Sequence, residues 1–129
     1  MEQEAMATIL VIDDDPQIRR MVGRILGDAG YHMIEAEEGR EGLKQMLTFD
    51  PAVIVTDIFM PEMEGIEFIR HVRKILPNAK VVAMSGGGKM KKADLVLHMA
   101  KSLGADCVLE KPFGAGTLLE AVRRLLAAD

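Results

Sequence analysis

Val53-Ile54-Val55-Thr56-Asp57-Ile58-Phe59-Met60-Pro61-Glu62-Met63-Glu64-Gly65 is the stretch that decides the fold. Its opening run is apolar and β-branched, the composition of a strand buried on both faces, and it ends in a carboxylate that hydrophobic patterning does not explain. Asp57 is therefore expected at the C-terminal mouth of a strand. In an open parallel α/β sheet that edge is where ligands bind, so the polar groups at the other strand ends become the next question.

Upstream, Thr8 to Ile12 reads as a second apolar strand that stops at Asp13-Asp14-Asp15-Pro16. Pro16 suits the first turn of a helix. Ile18, Met21, Val22, Ile25, Leu26 and Ala29 then recur at three- and four-residue spacing, with Gly30 as a stop and Arg19, Arg20 and Arg24 expected toward water. His32 to Ala36 forms a short strand, Leu43, Met46 and Leu47 mark a second helix, and Asp50-Pro51 breaks the chain before the Asp57 strand.

Downstream, Ile66, Ile69, Val72 and Leu76 predict a third helix closed by Pro77-Asn78. Lys80 to Met84 is a fourth strand ending in Ser85, and Gly86-Gly87-Gly88 leads to a fourth helix with Val96, Met99, Ala100 and Leu103 inward. Cys107 to Leu109 is a fifth strand ending at Glu110-Lys111-Pro112-Phe113, and Leu118, Leu119, Val122, Leu125 and Leu126 line the last helix. Five strand and helix pairs in alternation predict an α/β fold, a doubly wound parallel sheet covered on both faces.

At 129 residues one domain is expected, spanning 1–129 with no separate output domain. The single Cys107 excludes an internal disulfide and a cysteine-built zinc site, and no stretch reads as a signal peptide, which points to the cytoplasm. A formal net charge of -4 argues against non-specific nucleic-acid binding, and the apolar runs are well short of the ~20 residues that span a bilayer.

Four strands thus end in reactive polar groups: Asp13 and Asp14, Asp57, Ser85, and Lys111. If the first strand lies between the second and third, the three carboxylates share one crevice at a topological switch point. Two carboxylates about 4 Å apart repel by ~4 kcal/mol at an effective dielectric near 20, so the crevice calls for a hard divalent cation. Mg²⁺ suits it, since it takes one or two carboxylates together with water and a phosphate oxygen. That leaves one aspartate as a nucleophile and Lys111 to neutralise a transferred phosphoryl group.

Val11-Ile12-Asp13-Asp14-Asp15, Thr56 to Gly65, Met84-Ser85 and Glu110-Lys111-Pro112-Phe113 together resemble the receiver domain of two-component response regulators, over about residues 7–128. The resemblance implies a flavodoxin-like, five-stranded sheet of order 2-1-3-4-5 with five helices. It implies Asp57 as phosphoacceptor, and Mg²⁺ held by Asp14 directly, Asp13 through water, Asp57 and the Phe59 backbone carbonyl. Lys111, before a cis peptide bond to Pro112, and Ser85 would meet the phosphoryl oxygens. A sensor histidine kinase or histidine phosphotransfer protein would be the donor, and the fourth helix, fifth strand and fifth helix would carry the downstream partner. One position departs from the pattern: Val108 stands where the family often has Tyr or Phe, so no aromatic rotamer reports phosphorylation here.

Simpler readings apply to several residues. Asp15 before Pro16 reads as a helix cap. Lys89, Lys91 and Lys92 read as a solvated cluster, His32, His71 and His98 as structural or surface residues, Cys107 as buried, and most of the ten methionines as core filling. Leu95 and Leu97 lie off the inner stripe of the fourth helix. Two other functions fit part of the pattern. An aspartyl-phosphatase of the haloacid dehalogenase type shares the sheet, aspartates, Ser and Lys, and a phosphorylation-independent adaptor would keep a vestigial site.

Overall fold

The computed structural model describes residues 7–58, 65–86, 101 and 104–128. In chain order these form β1 (Thr8–Ile12), α1 (Pro16–Asp28), β2 (His32–Ala36), α2 (Gly39–Phe49), β3 (Val53–Asp57), α3 (Gly65–Ile75), β4 (Lys80–Gly86), β5 (Cys107–Lys111) and α4 (Ala115–Ala127). The strands make one parallel sheet of order β2-β1-β3-β4-β5. The described residues hold four helices where five were expected. The expected fourth helix, with Leu95 and Leu97, falls on residues 87–103, which apart from Lys101 lie outside the described residues, as do Phe59 and the three lysines of 89–92.

Each face of the sheet carries its own core because side chains alternate along a strand. Leu10, Ile12, Ile54, Val81 and Ala83 pack with Met46 of α2 and with Phe68, Ile69 and Val72 of α3. Ile9, Val11, Val53, Val55 and Val82 pack with Val22 and Leu26 of α1 and Leu118 and Val122 of α4. All five residues of β3 are buried, as a strand covered on both faces requires. Phe68, absent from the predicted stripe, is the largest fully buried side chain of α3, whereas Leu47 is 71% exposed. Cys107 is half-buried and not buried, because β5 is an edge strand, and burial still pushes its thiol pKa up. Among the described residues no helix is long and apolar enough to cross a membrane.

At the N-terminal side of the sheet a single side chain ties three elements together. Arg73 of α3 donates to the carbonyls of Gly104 (2.9 Å) and Ala79 (2.6 Å) and to the Asp106 carboxylate (2.6 Å), which also accepts the Val81 N–H at 2.7 Å. Gly104 has φ +120, and a Cβ there would lie 3.0 Å from Arg73 Nε, so glycine permits both the turn and the close approach. Hydrogen bonds to charged groups contribute about 1.5–3 kcal/mol each, and removing the donor leaves a partly enclosed carboxylate behind. Arg73→Met is therefore expected to lower unfolding free energy by about 2 kcal/mol, read as a fall in the urea midpoint with unchanged slope.

Candidate phosphoacceptor and metal site

β1 lies between β2 and β3, so the crossovers leaving it and reaching β3 run to opposite sides and open a crevice at the strands' C-terminal ends. Ile12 is level with Thr56, which places Asp13 beside Asp57 at the crevice floor. Asp57 is level with Met84, and Gly86 with Lys111, so Ser85 and Lys111 reach the same rim from β4 and β5. The expected convergence of Asp13, Asp14, Asp57, Ser85 and Lys111 on one sheet edge is what the topology produces.

Asp13, Asp14 and Asp57 each offer a carboxylate oxygen, and these atoms lie within 4.8 Å of one another. Asp13 is fully buried, Asp57 nearly so, and Asp14 is exposed. At such separations each charged pair repels by about 3 kcal/mol at an effective dielectric near 20, a repulsion that a compensating cation relieves. Lys111 supplies part of it. Its Nζ sits 2.8 Å from Asp13 Oδ2 and 3.7 Å from Asp57 Oδ2, with the lysine side chain itself 18% exposed. Burial raises the Asp13 pKa, and the Lys111 hydrogen bond and the Asp15 N–H on Oδ1 (2.9 Å) oppose that rise.

Three oxygen donors with one exposed member are a donor set that fits a hard divalent cation such as Mg²⁺. A second feature fits an anion beside it. Ser85 Oγ is buried and finds no hydrogen-bond partner among the described residues, a situation that costs about 1–3 kcal/mol unless a ligand answers it. Asp15 takes the structural role expected of it, capping α1 by accepting the Gln17 N–H at 2.8 Å with Pro16 as the first helical residue. The Lys111-Pro112 bond is cis, as the resemblance implied. Val108 is half-buried against the core on the α2 and α3 side of the sheet.

Two supporting residues were not singled out in the sequence. Thr56, fully buried, donates its hydroxyl to the Asp57 carbonyl at 3.0 Å, and a polar residue inside a doubly covered strand was its available signal. Arg19, expected to face water, is half-buried: Nη1 donates to the Asp13 carbonyl at 2.6 Å, and Nε lies 3.5 Å from Glu35. Arg19 stands three and seven residues before the buried Val22 and Leu26, so the helical period itself puts it at the edge of the inner stripe; its charge, and not its spacing, is what pointed to water.

Comparison with known proteins adds to this geometry. Residues 9–123 match the family model described as the response regulator receiver domain. The chain is 35% identical over 118 residues to the chemotaxis protein CheY of Thermotoga maritima, covering 91% of this chain and 95% of that protein. It resembles the crystal structure of the receiver domain of NtrX from Brucella abortus with a TM-score of 0.86 at 29% identity, over 94% of this chain and 99% of that one. The solution structure of the beryllofluoride-activated NtrC4 receiver domain dimer is similar with a TM-score of 0.82 at 30% identity, over 97% of this chain and 96% of that one.

Proposed function

We infer, from the premise that this chain belongs to the response regulator receiver family of two-component signalling, that Asp57 accepts a phosphoryl group from a phosphohistidine and thereby switches a partner-binding surface. The observation that carries the reading is the shared crevice: three carboxylates within 4.8 Å and a lysine 3.7 Å from the proposed acceptor. The donor would be a sensor histidine kinase or a histidine phosphotransfer protein.

In the transfer, a carboxylate oxygen of Asp57 attacks phosphorus, an O–P bond forms as the N–P bond to the donor imidazole breaks, and that imidazole nitrogen keeps the electron pair and takes up a proton from water. The strand-end position holds Asp57 at the crevice floor, where its approach is fixed by the β3 and β4 ladder. Lys111 neutralises charge on the phosphoryl oxygens, and the Ser85 hydroxyl gains the partner it does not have among the described residues. Asp14 directly, Asp13 through water, Asp57, and the Phe59 carbonyl outside the described residues would hold Mg²⁺. When bound, that ion supplies the positive charge that lets carboxylates and phosphoryl oxygens share one small volume. Water later hydrolyses the acyl phosphate, so the chain catalyses its own modification and its slow reversal and turns over no separate substrate.

The output surface would include β5 and α4, between which lies a groove of about 500 Å³ whose lining includes Cys107, Leu109, Ala121 and Leu125. The beryllofluoride-activated state named for the NtrC4 relative suggests that the same phosphoryl mimic engages Asp57 here.

Incubation with acetyl phosphate and Mg²⁺ followed by intact-mass measurement tests the reading. A gain of one phosphoryl group, lost in base, is expected, and a chain that stays unmodified would reject it. Lys111 provides a second test, because its ammonium occupies the carboxylates that a cation would use. Lys111→Met is expected to tighten Mg²⁺ binding about tenfold in a calorimetric titration, since a competing positive charge worth about 1.4 kcal/mol net at the carboxylates is removed. Loss of Mg²⁺ binding in that variant would place the lysine among the groups that support the metal.

A further inference from the structure

Asp14 is the exposed member of the acidic trio, and its position depends on the two peptide groups on either side of it. Both are held. The peptide joining Asp14 to Asp15 donates its N–H to Asp13 Oδ1 at 2.9 Å. The peptide joining Asp13 to Asp14 presents its carbonyl to Arg19 Nη1 at 2.6 Å. A peptide group is planar, so fixing its carbonyl fixes the Cα of the next residue with it. The Asp13 N–H is tied to the Ala36 carbonyl of β2 at 3.2 Å, which anchors the far side of the same residue.

We infer that Arg19 is a positioning residue of the metal site: its guanidinium locks the Asp13 to Asp14 peptide and thereby presents the Asp14 carboxylate to a divalent cation. The inference rests on the phosphoacceptor reading above. The guanidinium is itself placed from two directions. It belongs to the first turns of α1, whose start is set by the Asp15 cap and Pro16, and Glu35 of β2 lies 3.5 Å from its Nε. Its side chain is only 15% exposed, unlike a solvated arginine on an outer helix face. Glu35 is level with Val11 in the sheet, so the pair bridges α1 to β2 directly behind the β1 end.

The sign of the effect separates positioning from simple charge. A guanidinium acting only through its charge opposes a nearby cation, and removing it would tighten metal binding. A guanidinium that positions a ligand strengthens binding, as groups that orient metal ligands do by about 10–100-fold.

Mg²⁺ titrated calorimetrically into the full chain decides between them. Arg19→Ala is expected to weaken Mg²⁺ binding by about tenfold, with Arg19→Lys, which keeps one donor and the charge, recovering part of the loss. Acetyl-phosphate labelling of Arg19→Ala should be slow at limiting Mg²⁺ and return to the wild-type rate at saturating Mg²⁺, a split that general structural damage would not produce. Unchanged or tighter Mg²⁺ binding, or slow labelling that persists at saturation, overturns the inference. Arg19→Gln carries the same titration should the alanine variant not fold. A wild-type chain that binds no Mg²⁺ overturns the underlying reading as well, whereas a binding wild type beside an unaffected variant overturns the role of Arg19 alone.

Discussion

Asp57→Asn is expected to abolish phosphoryl labelling by acetyl phosphate while leaving the fold intact. The amide matches the carboxylate in shape, so the nearly buried position at the end of β3 and the ladder with β4 are preserved. What is lost is the nucleophile: an amide oxygen has too little charge density to displace a leaving group from phosphorus. Loss of a nucleophile costs on the order of 10⁶ in rate in the best-measured hydrolases, so no labelling should be visible on the timescale of the wild type. The test has a specific alternative outcome, because Asp13 and Asp14 lie in the same crevice. Labelling at full stoichiometry in Asp57→Asn would move the acceptor to one of them. Circular dichroism and a thermal melt of the variant keep loss of fold separate from loss of chemistry.

What the residues revealed in advance, and what they did not, follows from the range of the interactions involved. β1 and β2 are bounded by local signals, an apolar run against Asp13 and a short run after Gly30, and their observed limits agree with the expected ones. Asp57, Ser85 and Lys111 could be placed at strand ends for the same reason. Sheet order came through resemblance, because the partners of a parallel strand lie across crossovers that no local pattern encodes. The closer approach of Lys111 to Asp13 than to Asp57 depends on that order and on side-chain geometry across 98 residues of chain, so it had no signature. Arg19 was assigned to water because it is charged, although it stands three and seven residues before the buried Val22 and Leu26 and so borders the inner stripe of α1. Leu47 shows the converse limit, an apolar residue left outside because a helix of this period buries one stripe, here Gly39, Gly42 and Met46.

Asp13→Asn is expected to invert the usual relation between a site and the stability of its fold. Asp13 is fully enclosed, and burial raises its carboxyl pKa despite Lys111 at 2.8 Å. A group whose pKa is higher folded than unfolded binds its proton more tightly in the folded state. Its stabilising contribution is present below the unfolded value of 3.8 and is lost as pH rises through the folded value. At neutral pH the charged Asp13 is therefore a net cost to the metal-free fold, adding to the repulsion from Asp14 and Asp57 within 4.8 Å. Asparagine removes that cost and still offers an oxygen to the Asp15 N–H, so the metal-free variant should melt about 3–5 °C higher, equivalent to about 1 kcal/mol. The advantage should shrink as pH is lowered toward the carboxylate range, where wild-type Asp13 takes up its proton. Mg²⁺ should reverse the order. A ligand at 100 times its dissociation constant stabilises the folded state by about 2.7 kcal/mol, and the variant, deprived of one carboxylate, should bind at least about tenfold more weakly and gain far less. Melts of both proteins across pH with and without Mg²⁺ check each step. A metal-free variant less stable than wild type would show that the Lys111 ion pair outweighs burial, and equal stabilisation by Mg²⁺ would remove Asp13 from the metal site.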